Sequence, residues 1–207
     1  MKATFELEAI ELELGGGPIA GVDESGRGPL AGPVVAAAVV LDPAFIPEGI
    51  ADCRGLDAKS RQSVYQSVYQ AIVATAQVGI GVASVERIDA DNVLNASLWA
   101  MAQAVARLTD WPRLVLVNGN KAPHLGCTTR AIAQGDAKCL SIAAASIIAK
   151  VARDAMMAEL ARDYPHYGFD RHKGYGTREH HAAIARHGVT PHHRRSFRPV
   201  QLALGLV

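Results

Sequence analysis

The sequence predicts an α/β fold in which one mixed sheet is flanked by helices. Three observations carry this. Short apolar runs bounded by glycine or polar residues come first, at 19–23 and 34–41. Stretches with apolar residues three and four apart then alternate with further short apolar runs. The 207 residues, 49% hydrophobic and 20% charged, contain no internal repeat, low-complexity tract or long linker. One core and a single domain over 1–207 are therefore expected, with 1–17 as a peripheral N-terminal segment.

Residues 19–23 read as a strand ended by the glycines at 26 and 28. The run at 34–41 is apolar throughout, which predicts a strand buried on both faces. Ser60 is placed to cap a helix whose stripe is Val64, Val68 and Ile72, and 76–83 reads as a third strand. Asp89 or Asp91 is expected to cap the next helix, with Leu94, Leu98, Met101, Val105 and Leu108 on its inner face. Strands at 113–117 and 129–133 precede a long helix from about 140 that ends before Pro165. A shorter helix over 178–187 stops at Gly188.

Nothing at the start resembles a signal peptide, and the longest apolar stretch, 33–41, is too short to cross a bilayer, so no membrane association is expected. Cys53, Cys127 and Cys139 form neither a zinc pattern nor an even disulfide framework, which suits a reducing cytoplasm. The net charge of +1 is unevenly spread. Glu6, Glu8, Glu11 and Glu13 crowd the start, whereas arginine and lysine dominate 162–198, where they suit either a phosphate path or a solvated surface.

Chemistry gathers in four places. Gly21-Val22-Asp23-Glu24-Ser25-Gly26-Arg27-Gly28-Pro29 runs from an apolar strand into two acids and a Gly-Arg-Gly turn. Carboxylates suit Mg²⁺, glycines admit close backbone approach, and Arg27 supplies a phosphate-matching fork. Adjacent strand residues point to opposite faces, so either the strand breaks at these acids or one of them plays a secondary part. Alone, the segment also reads as an acidic turn after an edge strand. Asn118-Gly119-Asn120 ends a buried-looking strand and equally suits a tight turn. Asp136, in Gly135-Asp136-Ala137-Lys138, could simply cap a helix. Aromatics, glycines and basic residues interleave over 164–177, as in surfaces that stack on sugars or bases. The adjacent pairs His180-His181 and His192-His193 lack metal-ligand spacing and read as surface or nucleic-acid-facing residues.

With these segments in order, the chain resembles the ribonuclease HII family from residue 18 to its C-terminal end. The resemblance rests on GVDESGRGPLAGPV (21–34), IDADNVLNASLWAM (88–101), GDAKCLSIAAASIIAKVARD (135–154), YPHYGFDRHKGYGT (164–177) and HHRRSFRPV (192–200). It implies a ribonuclease H-like fold with a mixed five-stranded sheet and a helical C-terminal part. The implied activity is endonucleolytic cleavage of the RNA strand of RNA–DNA hybrids, and cleavage 5′ of single ribonucleotides in duplex DNA. The products would carry a 3′-hydroxyl and a 5′-phosphate. Asp23, Glu24 and Asp136 match three of the family's four metal-site acids, and Asn118 stands where the fourth is aspartate. Two Mg²⁺ or Mn²⁺ ions are implied at these residues. Gly26, Arg27 and Gly28 match the turn that recognises the ribonucleotide's 2′-hydroxyl, and Tyr175 the tyrosine that stacks on the neighbouring deoxyribose. Lys59 resembles a phosphate-contacting lysine, although Ala58 replaces the serine of that motif.

Asparagine is nearly isosteric with aspartate but neutral, and half of its tip is a donor. The expectation is a monomeric nuclease that binds its substrate and is impaired in cleavage. A non-catalytic protein that binds RNA–DNA hybrids or junctions is the alternative. Another ribonuclease H-like nuclease, such as a type 1 enzyme or a transposase, is disfavoured by the Gly-Arg-Gly turn and the Lys173-Gly174-Tyr175 motif. Type HIII enzymes carry an additional N-terminal domain, for which the stretch before Asp23 is too short.

Overall fold

The computed structural model describes residues 2–52 and 58–207, and the side chains of all of these but 52 and 58–62. Among the described residues five strands form one sheet: β1 (Ile19–Ser25), β2 (Val34–Val40), β3 (Gln77–Ala83), β4 (Leu114–Asn118) and β5 (Thr128–Ile132). Their order is β3-β2-β1-β4-β5. β1, β2 and β3 run antiparallel, whereas β4 and β5 lie parallel to β1. The carboxyl ends of β1 and β4 therefore lie side by side at one end of the sheet, where α/β proteins commonly bind ligands. The all-apolar reading of β2 holds, since 34–39 are fully buried.

Helices α1 (Glu6–Gly15), α2 (Ala58–Thr75), α3 (Val85–Val105), α4 (Leu140–Asp163), α5 (Phe169–His172), α6 (Arg178–His187) and α7 (Arg198–Ala203) surround the sheet. α4 covers one face, with Ala144, Ile147 and Ile148 in a core shared with Ala37, Val39 and Ile72. α3 covers the other, with Ala96, Ala100 and Ala104 packed on Val22, Ala36 and Ala38. Small residues allow these close approaches. A Cβ at Gly21 would lie 2.1 Å from the Ser141 backbone, and one at Gly81 would lie 2.0 Å from the Ala100 carbonyl. Gly81→Ala should therefore push α3 off the sheet and cost about 2–4 kcal/mol in urea unfolding. A loss below about 0.5 kcal/mol would contradict this packing.

Two helix starts differ from expectation. α2 begins at Ala58, so Ser60 lies within its first turn; residues 53–57, Cys53 among them, lie outside the described residues. Neither Asp89 nor Asp91 caps α3. Ser84 does, accepting from the Arg87 N–H at 3.4 Å, and the helix is interrupted at Asn92. With φ 65°, Asn92 restarts it by accepting the N–H groups of Leu94 and Asn95 at 3.0 and 3.1 Å. With ψ 161° this is a conformation that side chains rarely adopt, and the two N–H groups that the Asn92 side chain caps offset its strain. Asp91 instead pairs with Arg87.

Within the N-terminal segment, α1 carries the buried Glu8, whose Oε1 accepts from the Ser141 N–H (2.9 Å) and hydroxyl (2.6 Å). A carboxylate at the start of α4 suits the helix dipole. The C-terminal helices close around Leu30, Ala31, Met157, Phe169, Ile184 and Val200. Among the described residues, no helix is long and apolar enough to cross a membrane.

Candidate active site

β1 does not break at its acids. It stays paired with β2 through Asp23↔Ala37 and Glu24↔Ala36 to Ser25↔Val35, so the two carboxylates diverge. Asp23 shares the face of Gly21 beneath α4 and is 4% exposed. Glu24, on the α3 side, is half-buried and lines a shallow cleft with Arg27, Ser97, Met101, Asn118 and Lys121. Arg27 pairs with Glu24 at 3.2 Å. Burial pushes the Asp23 carboxyl up to about 7, and the Glu24 charge adds to this. Hydrogen bonds from Asn118, the Glu24 N–H and Ser146 act in the opposite direction without cancelling it.

Parallel pairing of β1 with β4 sets Asn118 beside Asp23. Its Nδ2 donates to Asp23 Oδ1 at 2.9 Å, and its Oδ1 accepts from the Gly135 N–H at 2.9 Å. Asn118 thus bridges the β1 acid to the short turn Gly135–Ala137, which carries the half-buried Asp136. The turn fits closely, because a Cβ at Gly135 would lie 2.6 Å from Ile142.

The Gly-Arg-Gly turn leaves the end of β1 with Gly26 at φ 97°, where a Cβ would lie 2.1 Å from Arg153 Nε. Two buried arginines hold the loop. Arg194 donates to the carbonyls of Gly26 (2.6 Å), Arg27 (2.9 Å), Gly32 (2.8 and 3.0 Å) and Pro33 (3.3 Å). Arg153 donates to Pro33 at 3.0 Å and Ala31 at 3.2 Å. Burial lowers the Arg194 guanidinium to about 9, and the Arg153 charge adds to this, so it stays protonated at neutral pH. In a trans peptide the N–H points opposite the carbonyl. Turning the Gly26 and Arg27 carbonyls inward therefore directs the N–H groups of Arg27 and Gly28 outward.

Tyr175 lies against this turn, its Cε1 3.4 Å from where a Gly28 Cβ would stand, with half of its surface exposed. The Gly174 carbonyl accepts from the Leu30 N–H at 2.8 Å, seating the tyrosine loop on the same segment. The structure thus gathers Asp23, Asn118 and the turn bearing Asp136, with Glu24, Arg27, Gly28 and Tyr175 alongside. Lys59 lies in α2, and its side chain is outside the described residues.

Sequence reasoning missed the structural roles of Arg153, Arg194, Asp89 and two histidines. Asp89 accepts from the N–H groups of Arg195 and Ser196, each at 2.9 Å, fastening the C-terminal segment to α3. His180 and His193, read as surface residues, are buried at 0% and 1% exposure, with Nε2 atoms 3.0 Å apart. His181 is exposed and His192 half-buried. In each pair one ring turns inward because only one neighbour faces the cluster around Phe169.

Burial lowers both inner rings from 6.5 to about 4, with charges of His172 and His181 acting on His180, and of His180 and His192 on His193. Folded pKa values below the unfolded ones confer stability that is full above pH 6.5 and lost as pH falls through 6.5 toward 4. The expected slope is up to about 1.4 kcal/mol per pH unit for each ring. Urea unfolding between pH 7 and 4.5 should show it, and a His180→Phe/His193→Phe variant should flatten it. An unchanged slope in that variant would remove the histidines as its cause.

The sequence matches the ribonuclease HII family model over residues 20–200. The ribonuclease HII of Magnetococcus marinus is 56% identical over 191 residues, covering 90% of this chain and 87% of that protein. That of Xanthobacter autotrophicus is 55% identical over 187 residues, covering 90% and 74%. The fold matches the crystal structure of ribonuclease H2 from Pyrococcus horikoshii OT3 with a TM-score of 0.73, at 23% identity over 90% of this chain and 96% of that one. It also matches Bst-RNase HIII in complex with Mn²⁺ with a TM-score of 0.66, at 18% identity over 91% and 70%. Strand order, the acidic end of β1, the Gly-Arg-Gly turn and these sequence matches agree, and the chain belongs to the ribonuclease HII family, the type 2 ribonucleases H.

Proposed function

We propose that the chain acts on the RNA strand of RNA–DNA hybrids and on single ribonucleotides in duplex DNA, cutting 5′ of the ribonucleotide, and that Asn118 impairs cleavage while leaving binding intact. The observation that carries this is the Asn118 bridge between Asp23 and Gly135. Asp23, Glu24, Asp136 and position 118 would form the metal-holding set, and Gly26, Arg27 and Gly28 would read the 2′-hydroxyl through outward N–H groups. Tyr175 would stack on the adjoining deoxyribose, and Lys59 would contact a phosphate.

Carboxylates at these positions suit Mg²⁺ or Mn²⁺, which prefer oxygen donors. The Mn²⁺ complex of Bst-RNase HIII supports such an ion for this fold. With an amide N–H aimed at Asp23, the set present in this chain does not fit two dications. Among the described residues no three His, Cys, Asp or Glu side chains gather as a metal site. The chemistry that two ions supply in such a site is an activated water and a stabilised leaving 3′-oxygen. That chemistry belongs to the Asn118→Asp form.

The test is a labelled duplex with one ribonucleotide, incubated with Mg²⁺ or Mn²⁺ and either form of the protein. Expected are tight binding by both and rapid cleavage by Asn118→Asp, at the 5′ side, leaving a 3′-hydroxyl. Binding without cleavage by both forms would instead establish a non-catalytic junction-binding protein. Cleavage elsewhere in the substrate would exclude the type 2 specificity.

A further inference from the structure

His180 and His193 make a fully assigned hydrogen-bond chain. The Thr190 N–H donates to His193 Nδ1 at 2.9 Å, with the Thr190 hydroxyl also 2.9 Å from that nitrogen, so Nδ1 is the acceptor and the His193 proton sits on Nε2. That Nε2–H donates across 3.0 Å to His180 Nε2, which leaves the His180 proton on Nδ1, donating to the Tyr175 carbonyl at 3.0 Å. Every donor finds an acceptor only with both rings neutral, in keeping with their burial. His172 stacks on His180 at 4.6 Å and accepts the Gly174 N–H at 3.2 Å through Nδ1.

The two ends of this chain belong to the two segments that grip the Gly-Arg-Gly loop. On one side Gly174 accepts from Leu30, and Tyr175 rests beside Gly28. On the other, Ala31 bridges His193, the Gly32 N–H donates to His192, and Arg194 takes the loop's carbonyls. The His180–His193 bond joins these grips directly.

We infer that His180 and His193 are positioning residues for substrate discrimination: their bond sets Tyr175 relative to the turn 26–28, so that stacking and ribose reading act on one nucleotide step together. This rests on the substrate roles proposed above for Tyr175 and the Gly-Arg-Gly turn. Neither histidine needs to touch substrate.

The test compares the unchanged chain with His180→Phe/His193→Phe, which keeps two aromatic rings and removes the polar link, and with His193→Gln, whose amide can still donate to His180. Affinities are measured by fluorescence anisotropy for a duplex with one ribonucleotide and for the same duplex in all-DNA form. The preference for the ribonucleotide duplex should fall about tenfold in the double variant, and largely return in His193→Gln. Without nucleic acid, amide exchange over 26–34 and 173–177 should be faster in the double variant than in the unchanged chain. Unchanged preference and unchanged exchange in a folded double variant would overturn the inference. Should that variant not fold, His193→Leu against His193→Gln gives the same contrast, and equal exchange in the two would overturn it. If the unchanged chain shows no preference for the ribonucleotide, the proposed substrate is wrong, and exchange alone decides whether the histidines couple the two segments.

Discussion

Asn118→Asp is expected to raise metal-dependent cleavage of a ribonucleotide-containing duplex by at least about 100-fold, equivalent to about 2.7 kcal/mol of barrier. The amide is locked in the orientation least useful to a cation. Its Nδ2 points at Asp23 and its Oδ1 at the Gly135 N–H. Flipping it would set carbonyl against carboxylate and amine against N–H, losing two hydrogen bonds worth about 1 kcal/mol each and adding repulsion. Position 118 therefore presents a donor where a dication needs oxygen and negative charge. An aspartate keeps the Gly135 contact with one oxygen and turns the other toward Asp23.

Without an ion, that second carboxylate would face Asp23, whose own carboxyl burial and Glu24 already push up to about 7. The Asn118→Asp form should thus melt lower than the present chain in chelator and gain more stability on adding Mn²⁺. Equal cleavage rates, or equal thermal shifts with Mn²⁺, would show that the amide does not weaken the site. Fresh protein of verified mass is required, because deamidation at Asn118-Gly119 creates the aspartate that the comparison withholds.

Much of this site is legible from residue order because its parts are local motifs. Asp23 and Glu24 on β1 and the Gly-Arg-Gly turn just after it follow one another in sequence, and the uniform apolarity of β2 marks it as a buried strand. The restart of α3 at Asn92 is less legible, since it depends on tolerance of positive φ that periodicity does not register. Arg153 left a signal, as a lone charge on the inner face of α4 between the buried Ala149 and Met157. Arg194 left none: it and the exposed Arg195 are the same residue type in adjacent positions. Only the path of 26–33, far away in sequence, makes one of them structural. His180 and His193 pose the same problem, because burial of one member of a pair depends on which way the helix or loop turns.

Arg194→Met should cost about 3–5 kcal/mol, with a fall in Tm of roughly 6–20 °C for a chain of this size. Two effects oppose each other. Removing a buried cation saves its desolvation and relieves the charge of Arg153, both of which lower the Arg194 pKa. Against this stand five hydrogen bonds from a charged donor, typically worth about 1.5–3 kcal/mol each before losses are shared. The balance turns on where the abandoned carbonyls can go. Those of Gly26 and Arg27 point inward, but they belong to a turn whose residues 27 and 28 are exposed, so water can reach them once the turn rearranges. Gly32 is buried and takes two of the five bonds, so its carbonyl has no such replacement. Pro33 retains the Arg153 bond at 3.0 Å. Most of the cost therefore concentrates at Gly32, while the loss of order falls on the Gly-Arg-Gly turn. Arg195→Met, exposed and adjacent, should change stability by less than about 0.5 kcal/mol. Arg194→Lys, which keeps the charge but lacks the fork that spans several carbonyls, should fall between the two. Equal stability of Arg194→Met and Arg195→Met in urea would mean that the buried charge costs as much as its hydrogen bonds return, leaving Arg153 to hold the loop alone.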